Sequence, residues 1–330
     1  MKKTIIFSHD SDIDGLGCVV LSKLAFDNLD YVVVTNVEKL ETVFRSYLES
    51  SKLDKYDNIY ITDLALYDPS LTMVATSSLR DKVLVFDHHK RAIESNMNRY
   101  YFTKIVEADE KGKRCATDLF YEYLTENKLL TKTKSLDEFV ELIRLEDTWQ
   151  WKQKKEIGIK AHDLAILFNT IGIKQFVTSM TNKLSAINES FSYNEEELKI
   201  IKNKKEDYEK ILTDIMSRAE YFNDENNNKF GIVFSEYEYR NELAEYVQNH
   251  HNPESIKYLI IVAIDKGENG QKSYRSIDET FDVNQVAMNH GGGGHVGAAT
   301  VNITKEQKAK ALTLNRKASL KYLANSKYTK

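Results

Sequence analysis

Cysteine is almost absent from this chain. Its only two, Cys18 and Cys115, exclude a disulfide-stapled scaffold, and neither stands in a C-x-x-C or Cys/His pattern that would hold structural zinc. Both read as small buried apolar residues. No apolar run approaches the roughly 20 residues needed to cross a bilayer, so no membrane span is expected. The N-terminal MKKTIIFSHDSD lacks the apolar core of a secretory signal, which makes the cytoplasm the expected compartment. A basic excess is missing too. The net charge of −4 argues against a protein that coats long nucleic acid by bulk electrostatics, although a local basic cleft stays open. The eight Lys or Arg that face the single acidic Glu306 between residues 305 and 330 read as the solvated face of a C-terminal helix. Neither a long-period repeat nor a low-complexity tract occurs. Only two prolines and thirteen glycines are spread over 330 residues, so the run Gly291 to Gly294 stands out.

A length of 330 residues exceeds what one core usually supports, so two domains are expected. Short β-rich runs recur in the first 90 residues, and helical stretches separate them. They are TIIF (4 to 7), YVVV (31 to 34), NIYI (58 to 61) and KVLVF (82 to 86). This pattern predicts an α/β fold around a parallel sheet, with the ligand site beyond the carboxyl ends of the strands. Helical patterns dominate from about 115 to 222. The stretch 194 to 222 reads as a long amphipathic connector, with Leu198, Ile201, Tyr208, Leu212 and Ile215 on one face. The polar run NDENNNK (223 to 229) is the expected linker. A second, smaller α/β unit follows, with strands at 230 to 234, 257 to 264 and 272 to 277 and helices near 240 to 250 and 282 to 289. The expected domains are thus 1–180, a helical connector and linker over 181–229, and 230–330.

The chemistry is carried by where the carboxylates fall. Asp12, Asp14, Asp63 and Asp87 lie at or just past predicted strand ends, and His9 and His88 flank them. Any one of them alone reads as a turn-capping Asp. If the strands are neighbours in one parallel sheet, however, the side chains converge. Clustered carboxylates in a partly desolvated site repel, and protonation or bound cations relieve that. Carboxylate-rich ligation with a few imidazoles suits Mn²⁺ or Mg²⁺ better than zinc. Two divalent cations, Mn²⁺ first, are therefore the expected cofactors.

His9-x-x-Asp12-x-Asp14-Gly15, Asp63 in ITDLAL and Asp87-His88-His89 resemble the first three motifs of the DHH phosphoesterase superfamily, and Asp147 in RLEDTWQW matches the fourth best. Gly291-Gly292-Gly293-Gly294-His295 followed by Ala298-Ala299 is similar to the glycine-His segment of the DHH-associated C-terminal domain of RecJ-like nucleases and oligoribonucleases. The strand around Ser273, Arg275 and Ser276 is similar to that domain's Arg-bearing strand. This resemblance implies one cation on His9, Asp12 and Asp63 and another on Asp14, Asp63, His88 and Asp147, with Asp63 bridging. It also implies that His89 hydrogen-bonds a phosphoryl oxygen and that Asp87 orients a histidine. Substrate binding would fall to Arg275, Gly292, Gly293, Gly294, His295 and Asn241, with the cleft between the domains closing on the substrate. The implied activity is hydrolysis of short oligoribonucleotides, with 3′-phosphoadenosine 5′-phosphate as a further substrate. A cyclic- or linear-dinucleotide phosphodiesterase, a RecJ-like single-strand exonuclease and a non-catalytic nucleotide sensor stay open. Nothing in the residues requires a homodimer, although pairing through an edge of the first sheet is open to the chain.

Overall fold

The strands of the first half alternate strictly between two apolar environments, and this alternation fixes the architecture. A computed structural model describes residues 2–185, 190–249, 255–264, 269–278 and 280–328. Residues 186 to 189 of the expected connector, and position 250 of the expected helix, lie outside them. Two compact units divide the chain, Met1–Lys204 and Lys205–Lys330.

In chain order the first unit contains β1 (Thr4–His9), α1 (Ile13–Ala25), β2 (Leu29–Val34), α2 (Val37–Glu49), β3 (Asn58–Thr62), α3 (Pro69–Thr76) and β4 (Val83–Asp87). There follow α4 (Lys90–Glu94), β5 (Thr103–Ile105), a short hairpin of β6 (Ala108–Asp109) and β7 (Gly112–Lys113), α5 (Ala116–Glu126), α6 (Lys134–Asp147) and α7 (Lys155–Ser185). Helix α7 breaks at Gly172, whose φ of 75° is non-helical. Strands β1 to β5 form one sheet in the order β2-β1-β3-β4-β5. Every pair in it is parallel, as the sequence pattern predicts. Helices cover both faces, as an all-parallel sheet demands. Ile6, Tyr60 and Phe86 pack with residues of α1, α5, α6 and α7. On the other face Ile5, Phe7, Ile59, Ile61, Val83 and Val85 pack with residues of α2 and α3. Cys18 and Cys115 are fully buried free thiols, in keeping with their reading as small apolar residues.

Helix α8 (Glu195–Ser217) belongs to both units, and its expected apolar face needs one correction. Ile201, Leu212 and Ile215 are buried, but Leu198 is 50% exposed. Glu197 turns inward beside it. The Glu197 carboxylate accepts from the amide of Asn194 at 2.8 Å, from the Ser179 hydroxyl at 3.2 Å and from Lys183, so a capping and ion-pair cluster takes the buried position.

The second unit contains β8 (Glu220–Asn223), β9 (Lys229–Phe234), α9 (Arg240–Asn249), β10 (Tyr258–Ala263), β11 (Gly270–Ser276), α10 (Val283–Asn289), β12 (Gly293–His295), β13 (Ala298–Ile303), α11 (Lys305–Leu312) and α12 (Arg316–Asn325). Its six-stranded sheet runs β12-β13-β11-β10-β9-β8. Only β9 and β10 are parallel in it. The polar run expected to be a linker is instead the turn between β8 and β9, where the Asp224 carboxylate accepts from the amides of Asn226 and Asn228. The basic C-terminus forms two helices rather than one, and Lys310, Arg316, Lys317 and Lys321 on them are exposed, as a solvated face requires.

One buried cation ties the end of the chain to this sheet. Lys272, fully buried on β11, donates to the carbonyls of Leu323 at 2.8 Å and Ser326 at 2.7 Å, and so satisfies the carbonyl end of α12. Lys272→Met removes the charged donor from both carbonyls, leaving the Leu323 carbonyl with the Ser326 amide and hydroxyl and the Ser326 carbonyl with the His290 ring nitrogen at 3.2 Å. The variant is expected to lose about 2 kcal/mol of stability, read from the urea midpoint.

Candidate active site

Because β1, β3 and β4 run parallel, His9, Asp63 and Asp87 emerge at the same edge of the sheet. Local chemistry holds each one there. Asp12 caps α1 by accepting from the amides of Asp14 at 3.1 Å and Gly15 at 3.3 Å. Gly15 is required by close approach, since a Cβ there would lie 2.3 Å from the His9 carbonyl oxygen. Asp14, fully buried, accepts from the amides of Ala116 and Thr117, both at 2.7 Å, and so caps the start of α5. Its backbone carbonyl accepts from the Thr117 hydroxyl at 2.5 Å. Asp63 takes the left-handed conformation at φ 60°, which turns its side chain out of the strand.

Among the described residues, three overlapping groups of side chains result. His9, Asp12 and Asp63 form one, Asp14, His88 and Asp147 another, and Asp63, Asp87, His88 and His89 a third, each with potential ligand atoms within 4.8 Å of one another. Asp63 faces the first two. Its Oδ2 lies 3.4 Å from His9 Nδ1, and its Oδ1 lies 3.4 Å from His88 Nε2. His88 Nε2 is also 3.4 Å from Asp147 Oδ2 and 3.6 Å from Asp14 Oδ2. Beside them the Asp87 carboxylate accepts from the amides of His88 at 2.8 Å and His89 at 3.2 Å and from His89 Nδ1 at 2.7 Å. All eight residues that the first-unit motifs single out therefore meet in one place, although Asp147 stands 138 positions after His9.

The electrostatics are those of a site that lacks counter-charge. Both carboxylate oxygens of Asp63, Nε2 of His88 and Oδ2 of Asp147 are buried without a hydrogen-bond partner. Such orphaned polar atoms are costly in a protein interior. Burial, then the charges of Asp14 and Asp12, push the Asp63 carboxyl well above the usual carboxylate range. Burial and the Asp14 charge do the same to Asp147. His9 is pushed up to about 11 by its hydrogen bond to Asp12 and by the Asp63 carboxylate close to the same nitrogen. His9 Nε2 donates at 3.1 Å to the Thr35 carbonyl, and the ring is thereby fixed with Nδ1 toward the carboxylates. His88 is buried, which lowers its pKa, but the charges of Asp14, Asp147 and Asp87 raise it further. The donor set, carboxylate-rich with imidazoles and no sulfur, fits two divalent cations that share Asp63.

No family model matches the chain. Oligoribonuclease NrnB of Bacillus subtilis (strain 168) is 32% identical to it over 305 residues, which is 91% of this chain and 73% of that protein. The chain belongs to the DHH phosphoesterase superfamily. As a DHH phosphoesterase it is a hydrolase that acts on phosphodiester bonds. Two solved structures share the fold. The DHH domain of a member of a ribosomal protein family superposes with a TM-score of 0.54 at 14% identity, covering 99% of this chain and 88% of that one. The pGpG-specific phosphodiesterase PggH from Vibrio cholerae does so with a TM-score of 0.51 at 16% identity, covering 98% and 100%.

In the second unit of this DHH phosphoesterase, register brings the other candidates together. Arg275 on β11 and His295 on β12 both pair with Ala298 on β13, so the three share one face of the sheet with the small alanine between the two larger side chains. Asn241, in the first turn of α9, accepts from Arg275 Nε at 3.2 Å and Nη2 at 3.0 Å. Gly293 and Gly294 lie with His295 in strand β12. A Cβ on Gly292 would sit 2.0 Å from the Thr300 carbonyl oxygen and one on Gly294 2.5 Å from the Ala298 carbonyl oxygen, so close backbone packing accounts for these two, whereas a Cβ on Gly293 would come no nearer than 3.8 Å to its neighbours. Sequence reasoning missed Ser8, whose hydroxyl donates to the Gly15 carbonyl at 2.7 Å and lies 2.7 Å from the Thr62 hydroxyl. It also missed Thr117. Neither carries a signal, because each is an ordinary hydroxyl whose partner is set by the fold.

Proposed function

We propose that the chain is a two-metal phosphodiesterase that degrades short single-stranded oligoribonucleotides, with Mn²⁺ as its preferred cation. The observation that carries this reading is Asp63, a buried carboxylate with one unpartnered oxygen turned to each of two ligand groups. His9, Asp12 and Asp63 would hold one cation and Asp14, Asp63, His88 and Asp147 the other. When bound, such a pair lowers the pKa of a water to yield the nucleophile and neutralises charge on the phosphoryl oxygens. The chain's own groups orient the ester. His89, half-exposed and held at Nδ1 by Asp87, keeps its other ring nitrogen available to hydrogen-bond a phosphoryl oxygen or to pass a proton to the leaving oxygen. The hydrogen bond to Asp87 raises the His89 pKa, which favours that donor form.

Arg275, Ala298 and His295 form the row that would grip a substrate phosphate, with Asn241 fixing the guanidinium. Arg275→Ala is expected to raise KM for a short RNA about tenfold or more, with kcat changed far less, since a charged hydrogen bond to phosphate is lost. A steady-state titration of substrate checks this. Removal of the 3′-phosphate from 3′-phosphoadenosine 5′-phosphate is proposed as a second activity of the same centre, because that substrate presents a phosphomonoester on one nucleotide.

Turnover with Mn²⁺ against a five-nucleotide RNA, 3′-phosphoadenosine 5′-phosphate, cyclic di-AMP and single-stranded DNA tests the proposal. Asp87→Ala and His88→Ala proteins serve as controls. Consumption of the RNA to mononucleotides, with both controls inactive, is the expected result. Nucleotide binding without consumption of any substrate would reject it in favour of a sensor.

A further inference from the structure

Trp149 combines features that the packing of the first unit does not explain. It lies two residues past Asp147, just beyond the end of α6, and its backbone is left-handed at φ 60°. Glycine or asparagine is the usual occupant of such a helix-ending position, and a bulky side chain there is a genuine outlier. Trp149 is 54% exposed, while the chain's other tryptophan, Trp151, stacks on His162 with ring centroids 4.2 Å apart and planes 12° from parallel. The turn that carries Trp149 is firmly held. Thr148 Oγ1 donates to the Arg144 carbonyl at 2.6 Å, Arg144 Nη1 donates to Gln150 Oε1 at 2.6 Å, and Trp149 N donates to the Glu146 carbonyl at 3.1 Å. Lys152 Nζ stands 5.1 Å from the Trp149 ring centroid and adds positive charge beside it. An outlying backbone, locked in place and presenting a large flat apolar side chain to solvent next to a cluster of acidic residues, is a position kept for a ligand rather than for the core.

We infer that Trp149 is the platform on which a nucleobase of the substrate stacks when its phosphate is held at Asp147 and His88. Two residues of chain separate the Cα atoms of Asp147 and Trp149 by at most about 7 Å, so the turn that presents the indole is anchored directly beside the group that carries Asp147 and His88. Stacking accepts any base, because every base offers a π-face, and it selects nucleotide diesters over diesters that lack a base. Trp149 is thus a specificity-determining residue. This inference rests on the phosphodiesterase reading above.

The test compares the Mn²⁺-loaded wild type with Trp149→Gly and Trp149→Phe on the dinucleotide pApA and on the same diester with abasic riboses. Trp149→Gly is expected to raise KM for pApA roughly tenfold, with kcat within about twofold, while Trp149→Phe keeps most of the affinity. Neither variant should change KM for the abasic diester. The melting temperature of Trp149→Gly should equal or exceed that of the wild type, because glycine suits the backbone better. A non-hydrolysable phosphorothioate pApA should quench wild-type indole fluorescence and lose most of that effect in Trp149→Phe. An unchanged KM for pApA, or an equal rise on both diesters, overturns the assignment. If the wild type turned over neither diester, the hydrolase reading would be what failed, and the quenching would still decide whether a base stacks here.

Discussion

Replacement of Asp63 by asparagine is expected to abolish turnover and, at the same time, to make the metal-free protein more stable. Asp63 is 1% exposed, and neither of its oxygens has a hydrogen-bond partner. Its ionised form is opposed by burial and by the charges of Asp14 and Asp12. A neutral amide of nearly the same shape removes that repulsion. The gain is on the order of 1 kcal/mol, the scale of relieving one charge from an unfavourable site. For a domain of this size it corresponds to a rise of about 2 to 4 °C in melting temperature per kcal/mol. The loss lies in function, because an amide cannot offer an anionic oxygen to each of two cations. Turnover is expected to fall at least about a thousandfold, more than the loss of a single charge-stabilising donor causes. Calorimetry in chelator and a Mn²⁺ turnover assay on the same preparation measure both effects. A variant that melts lower than the wild type without metal, or that keeps turnover within tenfold, would show that Asp63 is a structural residue.

That trade between stability and function also explains which parts of the molecule were legible beforehand. The parallel sheet was readable because its strands are buried on both faces and appear as short unbroken apolar runs ending in acidic or imidazole residues. The candidate site was readable for the same reason: the run-ends mark one edge of one sheet. Asp147 was harder to read, since it lies at the end of α6 rather than of a strand, and its role emerges only where His88 Nε2 meets it at 3.4 Å. Less legible still were β8 and β12, which are too short or too glycine-rich to show a period of two. The run 223 to 229 misled because a polar stretch reads alike in a linker and in a hairpin turn, and only the pairing of Tyr221 with Gly231 and Phe222 with Phe230 distinguishes them. Glu197 defeats periodicity outright, because three donors on one carboxylate outweigh the apolar burial that would have turned Leu198 inward.

The same clustered charges predict that pH will move stability in opposite directions with and without metal. In the metal-free protein His9 is pushed up to about 11 from an ordinary value near 6.5, so its contribution is complete below about 6.5 and is lost as pH rises through 11. His88 and His89 are raised as well and act in the same sense. Asp63 and Asp147 have raised pKa values, so the folded chain holds their protons longer than the unfolded chain does, and stability falls as pH climbs from the ordinary carboxylate range through those raised values. Asp12 is lowered, and its stabilising contribution, lost only in acid below about 4, leaves the neutral range untouched. From about pH 5 to 9 the five raised groups therefore pull together, and the melting temperature in chelator should fall as pH increases. Saturating Mn²⁺ reverses the slope. Cations bind the deprotonated ligands, so affinity grows with pH, and occupancy at a hundred times Kd adds about 2.7 kcal/mol to the folded state. Melting curves at pH 5.5, 7 and 8.5, with Mn²⁺ and with chelator, should converge at the acid end and diverge at the alkaline end. Asp63→Asn should flatten both slopes. Parallel slopes in the two conditions would mean that these side chains neither gather protons without metal nor surrender them to it.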